Sequence, residues 1–168
     1  MSRYRPDSRR SWTALLGFHA VALAVGQLGG LVTGPAVREW YPTLDLPAWR
    51  PPNIAFPVVW TLLYLVMAYA AWLVWQAAEK TERGWESAWL ALSFYGVQLT
   101  LNLVWSFLFF GLRSPALGMV DIFLLAAAIL ATLLAFKEHS RLAAWLMLPY
   151  LLWVCFAAVL NFEIWARN

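Results

Sequence analysis

Residues 115–136 read PALGMVDIFLLAAAILATLLAF: twenty-two positions with one charge, Asp121. About twenty apolar residues in a helix rise far enough to cross some 30 Å of hydrocarbon. Four further stretches share this character. Residues 12–32, 55–78 and 88–112 hold no Asp, Glu, Lys or Arg, and 142–165 holds only Glu163 near its end. In lipid every backbone N–H and C=O must bond within its own segment, so stretches of this length without period-two alternation are helices rather than strands. The expected fold is all-α, a single domain of five transmembrane helices.

Composition agrees. The 168 residues are 62% hydrophobic and 12% charged, against about 25% charge in a soluble domain. The net charge of +3 sits at helix ends rather than in a basic patch, so nucleic acid is not an expected partner. Membrane lipid is. Cys155 is the sole cysteine, and His19 and His139 are far apart, so neither a disulfide nor a metal site is expected. Four arginines precede the first stretch, but that stretch is too long for a signal peptide and lacks a small-residue cleavage site, so it reads as a retained span.

The connections are unequal. Residues 79–87, 113–114 and 137–141 make short links, which predict antiparallel neighbours. Residues 33–54 form a long link with Pro35, Pro42, Pro47, Pro51, Pro52, Trp40, Tyr41 and Trp49. Proline stiffens it, and a long, stiff, aromatic loop reads as a lid. Lys and Arg number eight on the N-terminal side and four on the other. This predicts a cytoplasmic N-terminus, an outer C-terminus and the loop outside, in a bacterial cell membrane.

Small residues mark close helix approach in lipid. Ala22, Gly26, Gly30 and Gly34 form a ladder in span 1; Ala127, Ala131 and Ala135 form another in span 4, and Gly96 and Thr100 a short one in span 3. Pro57 and Pro149 are placed in the first turns of their helices.

The twelve tryptophans divide. Trp12, Trp72, Trp75, Trp85, Trp89 and Trp145 fall near the cytoplasmic ends and read as interface anchors. Others gather beneath the loop: Trp60 and Tyr64 share one face of span 2, Asn102 and Trp105 one face of span 3, and Tyr150, Trp153 and Asn161 follow in span 5. Trp60 sits about 8 Å and Asn102 about 14 Å below the loop at 1.5 Å per residue. A buried amide needs a partner. Asn102 and Asn161 either bond between helices or orient the polar edge of a ligand; an indole N–H of Trp60 or Trp153 is able to do the same while its ring stacks. Asp121 is expected to reach the outer interface toward Arg113, Glu163 to pair with Arg167, and His19 to find a partner inside the bundle. No nucleophile–base set or phosphate loop appears. The residues alone point to a flat apolar ligand and to no enzyme.

The chain resembles the TspO/MBR family, the tryptophan-rich sensory proteins that include the translocator protein, or peripheral benzodiazepine receptor. The resemblance rests on WY at 40–41, PAWRPP at 47–52, FPVVWTLLY at 56–64, QLTLN at 98–102 with Trp105, FFG at 109–111, PYLLW at 149–153 and LNF at 160–162. It implies a five-helix bundle, a homodimer, and a cavity under the first loop that binds porphyrins such as protoporphyrin IX or drug-like small molecules, with no cofactor required. It places Trp60, Trp153 and Asn102 in the pocket, with Trp40, Tyr41, Trp49, Tyr64, Trp105, Ala157 and Asn161 as further ligand-binding residues. It also implies two alternatives. One is an enzyme that degrades protoporphyrin IX in light, with Trp60 and Trp153 as the candidate catalytic residues. The other is a transporter of tetrapyrroles or sterol-like lipids. The family's sterol motif needs a tyrosine where this chain has Phe162, so the motif is not met.

Overall fold

In the computed structural model, which describes residues 8–80 and 84–168, each apolar stretch is one helix. α1 spans Ser8–Glu39, α2 Ala55–Ala78, α3 Gly84–Ser106, α4 Pro115–His139 and α5 Arg141–Arg167, and the described residues contain no strand. All five helices are long and apolar enough to cross a membrane. The protein is an all-α, multi-pass integral membrane protein. Arg3, Arg5 and Arg83, counted in the charge asymmetry, lie outside the described residues.

Two helix ends differ from expectation. α1 does not stop at residue 32 but runs on through Pro35 to Glu39. Proline removes one ladder bond, to the carbonyl of Leu31, yet the turn beyond it closes normally, with the Trp40 N–H donating to Ala36 O at 2.9 Å. At 32 residues α1 is about 48 Å long, more than the roughly 30 Å that hydrocarbon requires. The connection shrinks to residues 40–54, with a short 3₁₀ turn at Tyr41–Thr43. α3 ends in a π-helical turn, Phe107–Gly111, in which the Leu112 N–H reaches back to Phe107 O at 2.8 Å. Arg113 takes a left-handed φ of 51°, and a three-residue link, 112–114, suffices to reverse the chain. Ser114 and Ser140 cap α4 and α5, accepting from the N–H groups of Leu117 (3.3 Å) and Ala143 (3.2 Å). Pro149 lies well inside α5 rather than in its first turn. The segment continues because only the Trp145 carbonyl loses its partner.

The helices form a ring in the order α1, α2, α5, α4, α3, with α2 also touching α3 and α4 across the centre. Sequential neighbours pack closely except for α2 and α3, whose strongest contacts are with other helices. One stripe of α4 (Gly118, Asp121, Ile122, Leu125, Ile129, Thr132) faces inward at helical spacing. Asp121 belongs to that stripe. It is 3% exposed and does not reach Arg113, which pairs instead with Glu39 at 3.6 Å. Glu163 does pair with Arg167, at 3.0 Å, and His19 Nδ1 lies 2.8 Å from the Leu15 carbonyl of its own helix.

The small-residue ladders also divide. A Cβ on Gly26 would lie 2.6 Å from the Tyr64 ring, so α1 and α2 touch there, with Ala22 buried below. Gly30 has nothing within 4 Å of a Cβ; its neighbour Gly29, off the ladder, approaches Ser106 of α3 at 3.1 Å. Gly96, Thr100 and Ala127 are exposed on the outside of the bundle. Trp12, Trp89 and Trp145 also face outward, whereas Trp72, Trp75 and Trp85 are partly buried, the first donating its indole N–H to Ser11 O at 3.0 Å.

Candidate functional site

Below Gly26, α1 packs on its neighbours; above it, Gly30, Thr33 and Gly34 leave space. That space is a cavity of about 490 Å³ between α1, α2, α3 and α5, within the range of small-molecule pockets. It occupies the half of the bundle nearest the 40–54 connection.

Of the ten residues expected to bind ligand, Tyr41, Trp60, Tyr64, Asn102, Trp105, Trp153, Ala157 and Asn161 line this cavity. Trp40 and Trp49 do not. The Trp40 ring packs edge-on against Phe109 (5.7 Å between centroids) and Phe110 (6.5 Å). Trp49 lies on the outer side of the connection against Phe156 at 5.8 Å, 48% exposed. Both therefore pin the connection to the bundle. Between them it is held as well: the Asp45 N–H donates to Asn168 Oδ1 at 3.0 Å, and Arg167 lies 3.9 Å from the Asp45 carboxylate.

The two amides are engaged between helices. Asn102 Oδ1 accepts from the Tyr64 hydroxyl, and Asn102 Nδ2 donates to Tyr150 Oη at 3.1 Å. This joins α2, α3 and α5 directly beneath the cavity. Asn161 Oδ1 accepts from Trp105 Nε1 at 3.3 Å, and its Nδ2 donates to the Pro115 carbonyl at 2.7 Å. A buried side-chain amide with both ends engaged positions its neighbours first.

The indoles are placed differently. Trp60 lies 5.7 Å from the Tyr64 ring and 6.0 Å from that of Tyr150. Trp153 sits between Phe56 (6.0 Å) and Phe156 (5.4 Å). Its Nε1–H is buried and has no hydrogen-bond partner among the described residues. The π turn presents Phe109 and Phe110 to the cavity, and Trp105 stacks on Phe109 at 5.1 Å. Such turns often occur at functional sites.

Arg38 and Asn53 also line the cavity, and sequence reasoning missed them. Ending α1 at residue 32 assigned Arg38 to the loop. Its register with Gly30 and Gly34 (i+8 and i+4) carries the signal once the helix is continued.

A profile of the TspO/MBR family matches residues 18–166. The chain is 40% identical over 147 residues to Tryptophan-rich protein TspO of Archaeoglobus fulgidus, covering 87% of this chain and 91% of that one. It is 38% identical over 159 residues to Translocator protein of Homo sapiens (94% and 91%). It is 35% identical over 157 residues to Tryptophan-rich sensory protein of Cereibacter sphaeroides (94% and 92%).

Proposed function

We propose that this chain, which belongs to the TspO/MBR family, is a membrane-embedded binding protein, a sensor or carrier, for porphyrins such as protoporphyrin IX and related flat apolar ligands. The observation that carries this reading is the cavity edged by Trp60 and Trp153 and walled by Phe56, Phe109 and Phe110. Most of the remaining wall is aromatic, aliphatic or glycine, which favours a broad apolar face over a polar metabolite. Titrating purified protein with protoporphyrin IX should quench tryptophan fluorescence saturably. A linear, non-saturating response identical to that of empty micelles would rule the reading out.

A second reading is supported by the same edge of the cavity. Trp60 and Trp153 edge the cavity, so an excited porphyrin held there would pass an electron or hydrogen atom by way of these indoles to dissolved oxygen, the porphyrin being oxidised and the oxygen reduced. Illumination of the complex should then yield a protein-dependent porphyrin product, lost when Trp60 or Trp153 becomes phenylalanine with binding retained. A ligand that bleaches no faster than in free solution decides for binding alone.

The orientation proposed places the N-terminus in the cytoplasm and the C-terminus outside. A reporter active only in the cytoplasm, fused after Asn168, should be silent; activity there reverses the assignment.

A further inference from the structure

One charged side chain lines the cavity: Arg38, in the last turn of α1. Four arginines occur at this end of the bundle, and three are engaged. Arg113 pairs with Glu39 at 3.6 Å, and Arg167 with Glu163 at 3.0 Å and Asp45 at 3.9 Å. Arg50 donates to Asn53 Oδ1 at 3.0 Å and lies 6.0 Å over the Tyr41 ring. Arg38 has no ion pair or side-chain hydrogen bond among the described residues. Its one acidic neighbour in sequence, Glu39, is taken by Arg113. The guanidinium folds back along α1 toward the cavity: Arg38 Nη1 lies 3.9 Å from where a Cβ on Gly34 would stand, and Gly34 is itself a lining residue.

The cavity is therefore graded. Its depth is aromatic, around Trp60, Trp153 and Phe109, and its mouth carries Thr33, Asn53 and a cation without a counter-ion. Among the described residues no acidic side chain lines it. A guanidinium presents a planar fork of donors that matches a carboxylate. A ligand complementary to this gradient has a flat apolar body and an anionic group on one edge. We propose that Arg38 is the specificity-determining residue of this cavity, selecting flat ligands that carry a carboxylate over neutral ligands of the same shape. This rests on the cavity being the site of a flat apolar ligand.

The test compares acid and ester. Protoporphyrin IX and its dimethyl ester share a ring and differ in charge; pyrenebutyrate and its methyl ester form a second pair that is not a porphyrin. All four are titrated, in uncharged maltoside micelles, against wild-type protein, Arg38→Gln and Arg38→Lys. Comparing acid-to-ester ratios between proteins cancels the unequal partitioning of acid and ester into micelles. The wild-type preference for acid should exceed that of Arg38→Gln roughly tenfold, the scale of a hydrogen bond to a charged group. Ester affinities should be equal in the two proteins, which also verifies that the variant is folded. Arg38→Lys should keep part of the preference, and raising salt from about 0.05 to 0.5 M should reduce it. Porphyrin binding with the same acid-to-ester ratio in wild type and Arg38→Gln overturns the proposal and leaves the porphyrin reading standing; Arg38 then serves as an interfacial anchor for lipid phosphate. Discrimination within the pyrene pair alone, with no porphyrin bound, does the reverse. Binding of none of the four probes overturns both.

Discussion

Replacing Trp60 and Trp153 together with alanine should weaken protoporphyrin IX binding by about a hundredfold. A buried tryptophan at the centre of a contact typically contributes 2 kcal/mol or more, and 1.4 kcal/mol is a factor of ten. Two such losses, reduced for non-additivity, give that figure. The single phenylalanine variants separate stacking from hydrogen bonding. Trp60→Phe keeps a ring against Tyr64 and Tyr150 and should cost only a few fold. Trp153→Phe removes the buried, unpartnered N–H; it should cost more if the ligand accepts from that donor, and should be near neutral if it does not. Soret absorbance reads each titration, and circular dichroism establishes that the helices persist, because truncating a packed indole also destabilises the fold. A double alanine variant that stays folded and binds within threefold of wild type would show that the ligand lies elsewhere.

Gly118→Ala should lower stability by about 1–3 kcal/mol, the usual cost of overpacking, or roughly 3–10 °C in melting temperature for a chain of this size. A Cβ there would lie 2.9 Å from Asn161 Oδ1 and 2.9 Å from Phe109 Cδ2. Neither neighbour moves freely. Asn161 holds Trp105 and the Pro115 carbonyl, and Phe109 is buried against Trp105, Trp40 and Phe110. The substitution should therefore also disturb the Trp105 wall of the cavity. Gly30→Ala is the matched control. It too adds one methyl to a helical glycine, but into open space, and should leave the melting temperature unchanged or raise it slightly, since alanine is the better helix former. Melts in detergent that rank the two variants in the opposite order contradict this packing.

The five spans were legible because hydropathy over some twenty residues leaves a membrane helix little alternative. Their ends were less so. Pro35 was assigned to the link, yet it forfeits a single bond while the residues after it continue the ladder. The π turn at 107–111 carries no local signature, because its extra residue is accommodated by the packing of Phe109 and Phe110. Asp121 was misplaced for a related reason: its distance from the helix end was readable, but its azimuth was not, and the azimuth put it on the inward stripe of α4. In the candidate site, residues at i+3 and i+4 spacing within helices, such as Trp60 with Tyr64 and Asn102 with Trp105, fall on one wall as their periodicity requires. Trp40 and Trp49 lie in irregular backbone, where sequence spacing fixes no direction. The partners of the amides depend on helix register, which no single helix contains.

The hydrogen bonds from Tyr64 through Asn102 to Tyr150 have a consequence for traffic. They tie three helices together under the cavity, and below them the bundle is filled by Met67, Ala68, Leu99 and Met147. The chamber is a blind alley. On the function proposed above, a guest that entered near α1 and the 40–54 connection would leave by the same door, and exchange would take place with one side of the bilayer. Passage to the other side would require the three tied helices to part, leaving two phenols and an amide unbonded in an apolar interior. As built, the protein is shaped for a round trip.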